Sequence, residues 1–417
     1  MIYGQDLGVP PGAQDRTHVL PRQNDQITQD IESDRSGPTT DPAFTLGVFG
    51  FSRKTDEWRV PIHPAHLGRI PAELRSRILL EAGYGERFGI PDSELAPHVG
   101  RICSRAELFE QADILALPKP QHEDIRAMRE GQILWGWPHC VQDRDLTQLA
   151  IDKRLTLIAF EAMNHWNQDG SFNLHVFHTN NELAGYCSVL HSLQLLGSTG
   201  NYGRRLTATV IGFGATARGA ITALGALGIT QIRVLTNRAV AAVASPIHSV
   251  DIVQFAHEDE PYMSAAITDE GRVPLGPFLA ESDIVVNCTL QDPNAPLLYL
   301  HEGDLQQFTP GSLIIDVSCD EGMGFSFARP TSFDEPMLRL AGGVNYYAVD
   351  HSPSYLWNSA SWENSSALLP FLETVMAGPS AWAGVETIDS AIEIQDGVIR
   401  NPAILEFQDR EAAYPHR

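Results

Sequence analysis

The amino-acid sequence predicts an α/β chain of two doubly wound domains with a cleft between them. Three observations carry that expectation. Short β-rich apolar runs alternate with helical runs over residues 45–182, a second series of short apolar strands follows over 183–345, and one of those strands runs straight into a glycine-rich turn and an apolar helix. Strands alternating with helices build βαβ units and a mostly parallel sheet. Apolar runs without polar alternation suit strands covered on both faces.

Taken in order, residues 1–44 are polar and rich in Pro, Asp and Gln. They are expected to form an extension that is disordered alone or packs as an arm on another subunit. The first domain is expected over 45–182 together with 346–417. Its strands are read at 45–49, 114–117, 132–135 and 156–160, and its helices at 71–83, 105–112 and 146–153. A long helical run over 182–196 leads into the second domain, expected over 183–345, with strands at 207–211, 231–235, 284–288 and 313–317. Each is short, apolar and bounded by turn residues. Beyond 346 come a helix near 365–377 and two alternating runs around Asp396-Gly397. Asp-Gly between such runs is a hairpin signal.

The chain has 417 residues, 43% of them hydrophobic and 19% charged, with a net charge of −23. That length buries more than one core without disulfides or a structural metal. Acidity argues against nucleic acid as the main partner, since phosphate backbones are bound by fields of Lys and Arg. Five widely spaced cysteines with no Cys-x-x-Cys pair fit reduced thiols in a cytoplasm. The N-terminus lacks a basic segment followed by an apolar one, so no secretory signal is read there. The longest apolar stretch, 206–230, contains Arg218 and several glycines. It resolves as strand, turn and helix rather than as a membrane span.

The strand at 207–211 enters Gly212-Phe213-Gly214-Ala215-Thr216-Ala217 and then an apolar helix. This is the Gly-x-Gly-x-x-(Gly/Ala) pattern of Rossmann-like dinucleotide domains. Gly212 would make the turn, Gly214 would let a pyrophosphate approach the backbone, and the small Ala217 would pack helix on strand. An acid at the end of the next strand would hold the ribose 2′-hydroxyl of NAD. That position instead reads Leu235-Thr236-Asn237-Arg238. No Asp or Glu occurs between Glu182 and Asp251, whereas Arg204, Arg205, Arg218, Arg233 and Arg238 all fall there. Thr236, Asn237 and Arg238 suit a 2′-phosphate, which favours NADP (NADPH) over NAD. NAD stays open, because some of these arginines are ordinary solvated charges. The acids cluster further on, over 251–335, where only Arg272 and Arg329 oppose them.

Three basic residues stand in loops of the first domain. Arg59 lies in Glu57-Trp58-Arg59-Val60-Pro61, Lys119 in Leu117-Pro118-Lys119-Pro120, and His139 in Trp137-Pro138-His139-Cys140. Loops at the carboxyl ends of strands line the ligand crevice of an α/β sheet, so the three are expected to converge there.

These segments, the glycine turn, and Asp316-Val317-Ser318-Cys319-Asp320-Glu321-Gly322 occur in the order in which they occur in the alanine dehydrogenase and pyridine nucleotide transhydrogenase family, which the chain resembles from Thr45 to about Leu372. Within that family, the run Tyr347-Ala348-Val349-Asp350-His351-Ser352-Pro353 and the missing acid look most like the carboxyethylornithine synthase branch. The resemblance implies two Rossmann-like domains of the formate/glycerate and alanine dehydrogenase kind, and a homo-oligomer. It also implies that NADPH reduces the imine formed from a 2-oxo acid such as pyruvate and an amino-acid amine. Arg59 would pair with the oxo-acid carboxylate, Lys119 would polarise the keto oxygen, and His139 would move protons. Asp320 would orient a basic group or the nicotinamide ribose, Asp350 or His351 would face the second substrate, and Asn181 stands where a serine contacts the pyrophosphate in alanine dehydrogenases.

Each position has a plainer reading: surface charges for Arg59 and Lys119, a hydrogen-bonded core histidine for His139, a turn cap for Asp320, and loop fixation for Asp350 and His351. His63 and His66 have metal-like spacing, but Pro64 disrupts a helix there and no further ligands accompany them, so no metal is expected. Competing activities are an alanine dehydrogenase using ammonia and NADH, a saccharopine dehydrogenase-like enzyme, and a non-catalytic nucleotide-binding regulator.

Overall fold

The structure is a computed structural model that describes residues 44–237, 250–256, 264–291 and 296–417. Expectations placed on residues 1–43 and on Arg238 fall outside the described residues. Two large sheets organise the chain. The first has eight strands in the spatial order Val398–Ile399, Ile392–Gln395, Thr156–Ala159, Ile133–Gly136, Ile114–Leu117, Leu46–Val48, Ile78–Glu81 and Arg101–Cys103. All neighbours are parallel except those made by the C-terminal hairpin. Alternation of side chains splits its strands between two cores, Leu46, Ile114, Trp135 and Ile158 on one face and Leu115, Leu134 and Leu157 on the other. Burial on both faces is why these strands read as unbroken apolar runs.

The second sheet has nine strands, ordered Gly271–Pro274, Ala265–Thr268, Asp251–Ala256, Gln231–Thr236, Thr207–Ile211, Ile284–Asn287, Leu313–Asp316, Asn345–Tyr347 and Met337–Arg339. Its central strands are parallel and it too is cored on both faces. The fold is thus mixed α/β with two Rossmann-like parallel sheets. In each, the first strand has its sequence successor on one side and a later strand on the other. Those switch points lie between Leu46–Val48 and Ile114–Leu117, and between Thr207–Ile211 and Ile284–Asn287. Ligand crevices open there, beyond the carboxyl ends of the strands.

Two expected helices are different. The run 71–83 is a single helical turn, Ala72–Arg75, followed by the strand Ile78–Glu81. Ile78 and Leu80 enter the core between two parallel neighbours, so sheet pairing overrides the helical reading of a short apolar run. The helix near 365–377 is two, Trp357–Leu368 and Leu372–Ala377, with a tighter turn over Leu369–Phe371 between them. Pro370 has no N–H for a continuous ladder. The hairpin forms with Asp396 and Gly397 both at positive φ, 50° and 83°, as a primed turn requires. Among the described residues no helix is long and apolar enough to cross a membrane.

The long helix His178–Leu195 lies against Ala215–Ala226, the helix that follows the glycine turn. Their backbones approach so closely that a Cβ on Gly219 would sit 1.7 Å from the Glu182 carbonyl oxygen, and one on Gly185 would sit 1.9 Å from that of Thr216. Gly219→Ala is therefore expected to destabilise the protein by about 1–3 kcal/mol through overpacking against backbone. Urea unfolding of the variant beside the native chain measures it, and an unchanged midpoint would refute the contact.

Candidate active site

The carboxyl edges of both sheets border one cavity of about 980 Å³, lined by His139, Glu161 and Glu393 from the first sheet's side and by Gly212, Asn237 and Asp320 from the second. Asn181 and Thr236 line it as well. At the glycine turn Gly212 has φ 102°, and a Cβ there would press on Thr289 Cγ2 at 3.1 Å and the Cys288 carbonyl oxygen at 3.2 Å. Only glycine adopts this conformation freely. Gly214 is open, with nothing within 4 Å of a Cβ position. It caps Ala215–Ala226, a helix with no side-chain cap and no acid in its first turn. Its first N–H groups, with the positive end of the helix dipole, suit an anion. These residues fit the pyrophosphate of a dinucleotide. Ala217 does not touch the cavity; it is fully buried between helix and strand.

Lys119 and His139 come together at that cavity, Lys119 Nζ standing 2.5 Å from Nε2 of His139, itself a lining residue. Two cations would repel at this distance, so one partner is neutral. Burial, then the facing Lys119 ammonium, pushes His139 well below the ordinary imidazole range. The neutral ring therefore accepts from Lys119 at Nε2, which leaves its proton on Nδ1. Lys119 is itself brought down to about 8 by burial and then by the Arg59 charge. His139 has φ 50° and Cys319, next to Asp320, has φ 48°. Left-handed backbone at non-glycine residues is costly and concentrates at functional sites.

The other face of His139 meets Glu161, whose Oε1 accepts from the His139 backbone N–H at 2.7 Å and lies 3.7 Å from Nδ1. Glu393, from the C-terminal hairpin, borders the same cavity and accepts from Asn401 Nδ2 at 3.1 Å. The Oε2 atoms of both glutamates are buried and have no partner among the described residues. Burial, then repulsion from Glu393, pushes Glu161 up to about 8, and burial raises Glu393 too. Charge on buried carboxylates that each keep one oxygen without a donor is expensive, so this pair retains a proton near neutral pH.

Arg59 is not in the cavity wall. It is 5% exposed and lies over the Trp137 ring, 5.0 Å from its centroid. Glu57 takes its Nε at 2.8 Å and Nη2 at 2.5 Å, and Asn180 Oδ1 takes Nη1 at 3.1 Å. A guanidinium has five N–H donors, so two remain for a further acceptor. Asp320 is half-buried at the cavity wall, and burial raises its carboxyl. Beneath it Asp316 accepts from the Cys319 N–H, Asn287 Nδ2 and Tyr346 Oη at 2.9–3.1 Å, which anchors the turn that presents Asp320. Asp350 and His351 are placed apart from the nucleotide turn, at a second cavity. His63 and His66 bond Asn358 and Ser365 beside the Trp362 ring.

Sequence reasoning missed Glu57, Glu161, Glu393 and Lys54. Glu57 carried a local signal, an acid two residues before a buried Arg. The others meet their partners only through the fold, as when Lys54 Nζ reaches Asp350 Oδ2 at 2.6 Å.

Comparison with known proteins agrees with this geometry. Family models described as "Alanine dehydrogenase/PNT, N-terminal domain" and "Alanine dehydrogenase/PNT, C-terminal domain" match residues 52–182 and 203–402. The N(5)-(carboxyethyl)ornithine synthase of Clostridium botulinum is 25% identical over 317 residues, 73% of this chain and 87% of that protein. The alanine dehydrogenase of Halomonas elongata is 24% identical over 371 residues, 85% of this chain and 94% of that one. Among solved structures an L-alanine dehydrogenase superposes with a TM-score of 0.69 at 18% identity, over 88% of this chain and 99% of its own. The chain belongs to the alanine dehydrogenase/PNT family of nicotinamide-nucleotide oxidoreductases.

Proposed function

We propose that the protein catalyses the NADPH-dependent reductive condensation of a 2-oxo acid of pyruvate size with an amino-acid amine. The observation that carries this reading is the Lys119–His139 contact at the edge of a cavity that fits a dinucleotide, in a domain that also holds a buried Arg59 with two donors to spare. Arg59 binds the oxo-acid carboxylate through those two donors. Lys119, as the ammonium, faces the keto oxygen and stabilises the negative charge that grows there. His139, held neutral, takes a proton as the amine adds to the keto carbon and returns it to the hydroxyl, which leaves as water. Asp320 orients the nicotinamide ribose or the reacting base. Bound NADPH supplies the hydride that the imine carbon accepts. The sum is 2-oxo acid, amine, NADPH and one proton giving a secondary amine, NADP⁺ and water.

NADPH is preferred to NADH because Thr236 and Asn237, at the cavity wall, end a strand with no acid to hold a ribose 2′-hydroxyl. The relative from Halomonas elongata keeps a second reading in play, alanine dehydrogenase, in which ammonia replaces the amine and NADH is the donor. One experiment separates the two. The protein is incubated with pyruvate and either NADPH or NADH, ammonia or single amino acids are added, and nicotinamide absorbance is followed with mass analysis of products. A secondary amine formed with NADPH is expected. Consumption with ammonia alone would overturn the condensation, and faster turnover with NADH would overturn the cofactor preference.

A further inference from the structure

The second cavity, of about 780 Å³, is walled by Arg53, Lys54, Arg329, Glu335, Asp350 and His351 together with neutral residues. It adjoins the reacting pair through the chain itself: the Lys54 N–H donates to Ser52 Oγ at 3.1 Å, and Ser52 Oγ donates to the Lys119 carbonyl oxygen at 3.2 Å. Within it Asp350 bonds Lys54 Nζ through Oδ2 at 2.6 Å and His351 Nδ1 through Oδ1 at 2.5 Å. A carboxylate offers about four acceptor positions, so Asp350 has capacity for one further cation. His351 is 4% exposed and its Nε2 has no partner among the described residues.

The same wall carries guanidinium groups. Arg329 is exposed, and its guanidinium has no hydrogen-bond or ion-pair partner among the described residues. Arg53 gives its Nε to Asp124 at 2.8 Å, but that one buried carboxylate also serves Arg105 at 2.8 Å. Two guanidinium groups and Lys54 therefore share a wall with two acids, Glu335 and Asp350. Positive charge is in surplus here although the chain carries −23 overall. A cavity whose wall holds both a carboxylate acceptor and guanidinium groups matches a molecule with an amine and a separate carboxylate. Ammonia needs no such volume, since cavities of this size are typical of larger organic ligands.

We propose that this cavity is the subsite for the amine substrate, and that it takes an amino acid, with the reacting amine at Asp350 and the carboxylate on Arg329, supported by Arg53. The inference rests on the condensation proposed above and adds the subsite and its carboxylate anchor. Arg329 touches no reacting atom, so it sets selectivity rather than rate.

The test compares the preferred amino acid with the amine that lacks its carboxylate, for example L-ornithine with 1,4-diaminobutane, in the native protein and in Arg329→Ala. Losing a charge-assisted hydrogen bond should raise KM for the amino acid about 10- to 100-fold and leave KM for pyruvate unchanged. The preference for amino acid over simple amine should shrink by the same factor. Calorimetric titration of L-ornithine into the protein saturated with NADP⁺ should show the same loss, independently of turnover. An Arg329→Ala protein that keeps the native preference would overturn the subsite while leaving the condensation intact. Turnover with ammonia alone would remove both, so the two failures are distinguishable.

Discussion

His139→Ala is expected to turn over about 10²- to 10⁴-fold more slowly than the native protein, the usual worth of a positioned proton-transfer group, while its NADPH affinity stays within about twofold. The asymmetry follows from where the ring sits. Its Nε2 meets Lys119 and its backbone N–H meets Glu161, whereas the turn that fits the pyrophosphate is made by Gly212 and Gly214 on the other sheet. Fluorescence titration with NADPH and steady-state kinetics check the two halves separately. A variant within tenfold of native activity would take His139 out of the mechanism. The same contact sets a pH dependence. Lys119 is lowered to about 8, so the ammonium that faces the keto oxygen is present below that pH and is lost as pH rises through it. kcat/KM for the oxo acid should therefore fall on an alkaline limb near 8 rather than near the ordinary lysine value of about 10.4. A rate still flat at about pH 10 would mean that Lys119 need not be charged.

What the sequence disclosed and what it concealed divide along physical lines. The glycine turn was legible because its chemistry is local: a strand, two glycines and a helix start within a dozen residues. The strands buried on both faces were legible for the same reason, since six contiguous residues suffice to show an apolar run. Ile78–Glu81 was concealed because four apolar-rich residues after a helical turn satisfy helix and strand periodicity alike, and only pairing with Leu46–Val48 and Arg101–Cys103 decides. Arg59, Lys119 and His139 were visible as basic residues in loops, but not their states. That His139 is neutral depends on its burial and then on Lys119 being against it, and the raised pKa of Glu161 depends on burial and then on Glu393, which arrives from the C-terminal hairpin. Asp350 and Lys54 pair across 296 positions. No spacing rule reaches that far.

Glu57→Gln should cost the fold about 3–5 kcal/mol, because it breaks a buried ion pair from one side and leaves the other charge behind. Glu57 is 4% exposed and Arg59 5%. Glu57 accepts twice from the guanidinium and once from Ser354 Oγ, at 2.8 Å. Burial, the largest single influence, would raise its carboxyl; the Arg59 charge, the hydrogen bonds from Arg59 and the nearby His351 together outweigh that and hold it at about 2. A carboxylate depressed in the folded state adds stability that is present above its unfolded pKa and is lost as pH falls through the folded one. The native protein should therefore gain stability between about pH 2 and 4.3, and Glu57→Gln should lack that increment. Urea midpoints across the range measure it. The pairing leaves one ambiguity, since Arg59 serves both the scaffold and the proposed oxo-acid carboxylate. Glu57→Leu combined with Arg59→Met resolves it, because apolar replacement of a whole buried pair is often neutral or stabilising. The double variant should recover most of the lost stability and still bind the 2-oxo acid poorly, with KM raised by a factor of about 10 to 100 for a missing charge-assisted pair. A double variant that is stable and keeps the native KM would show that Arg59 holds the loop and does not hold the substrate.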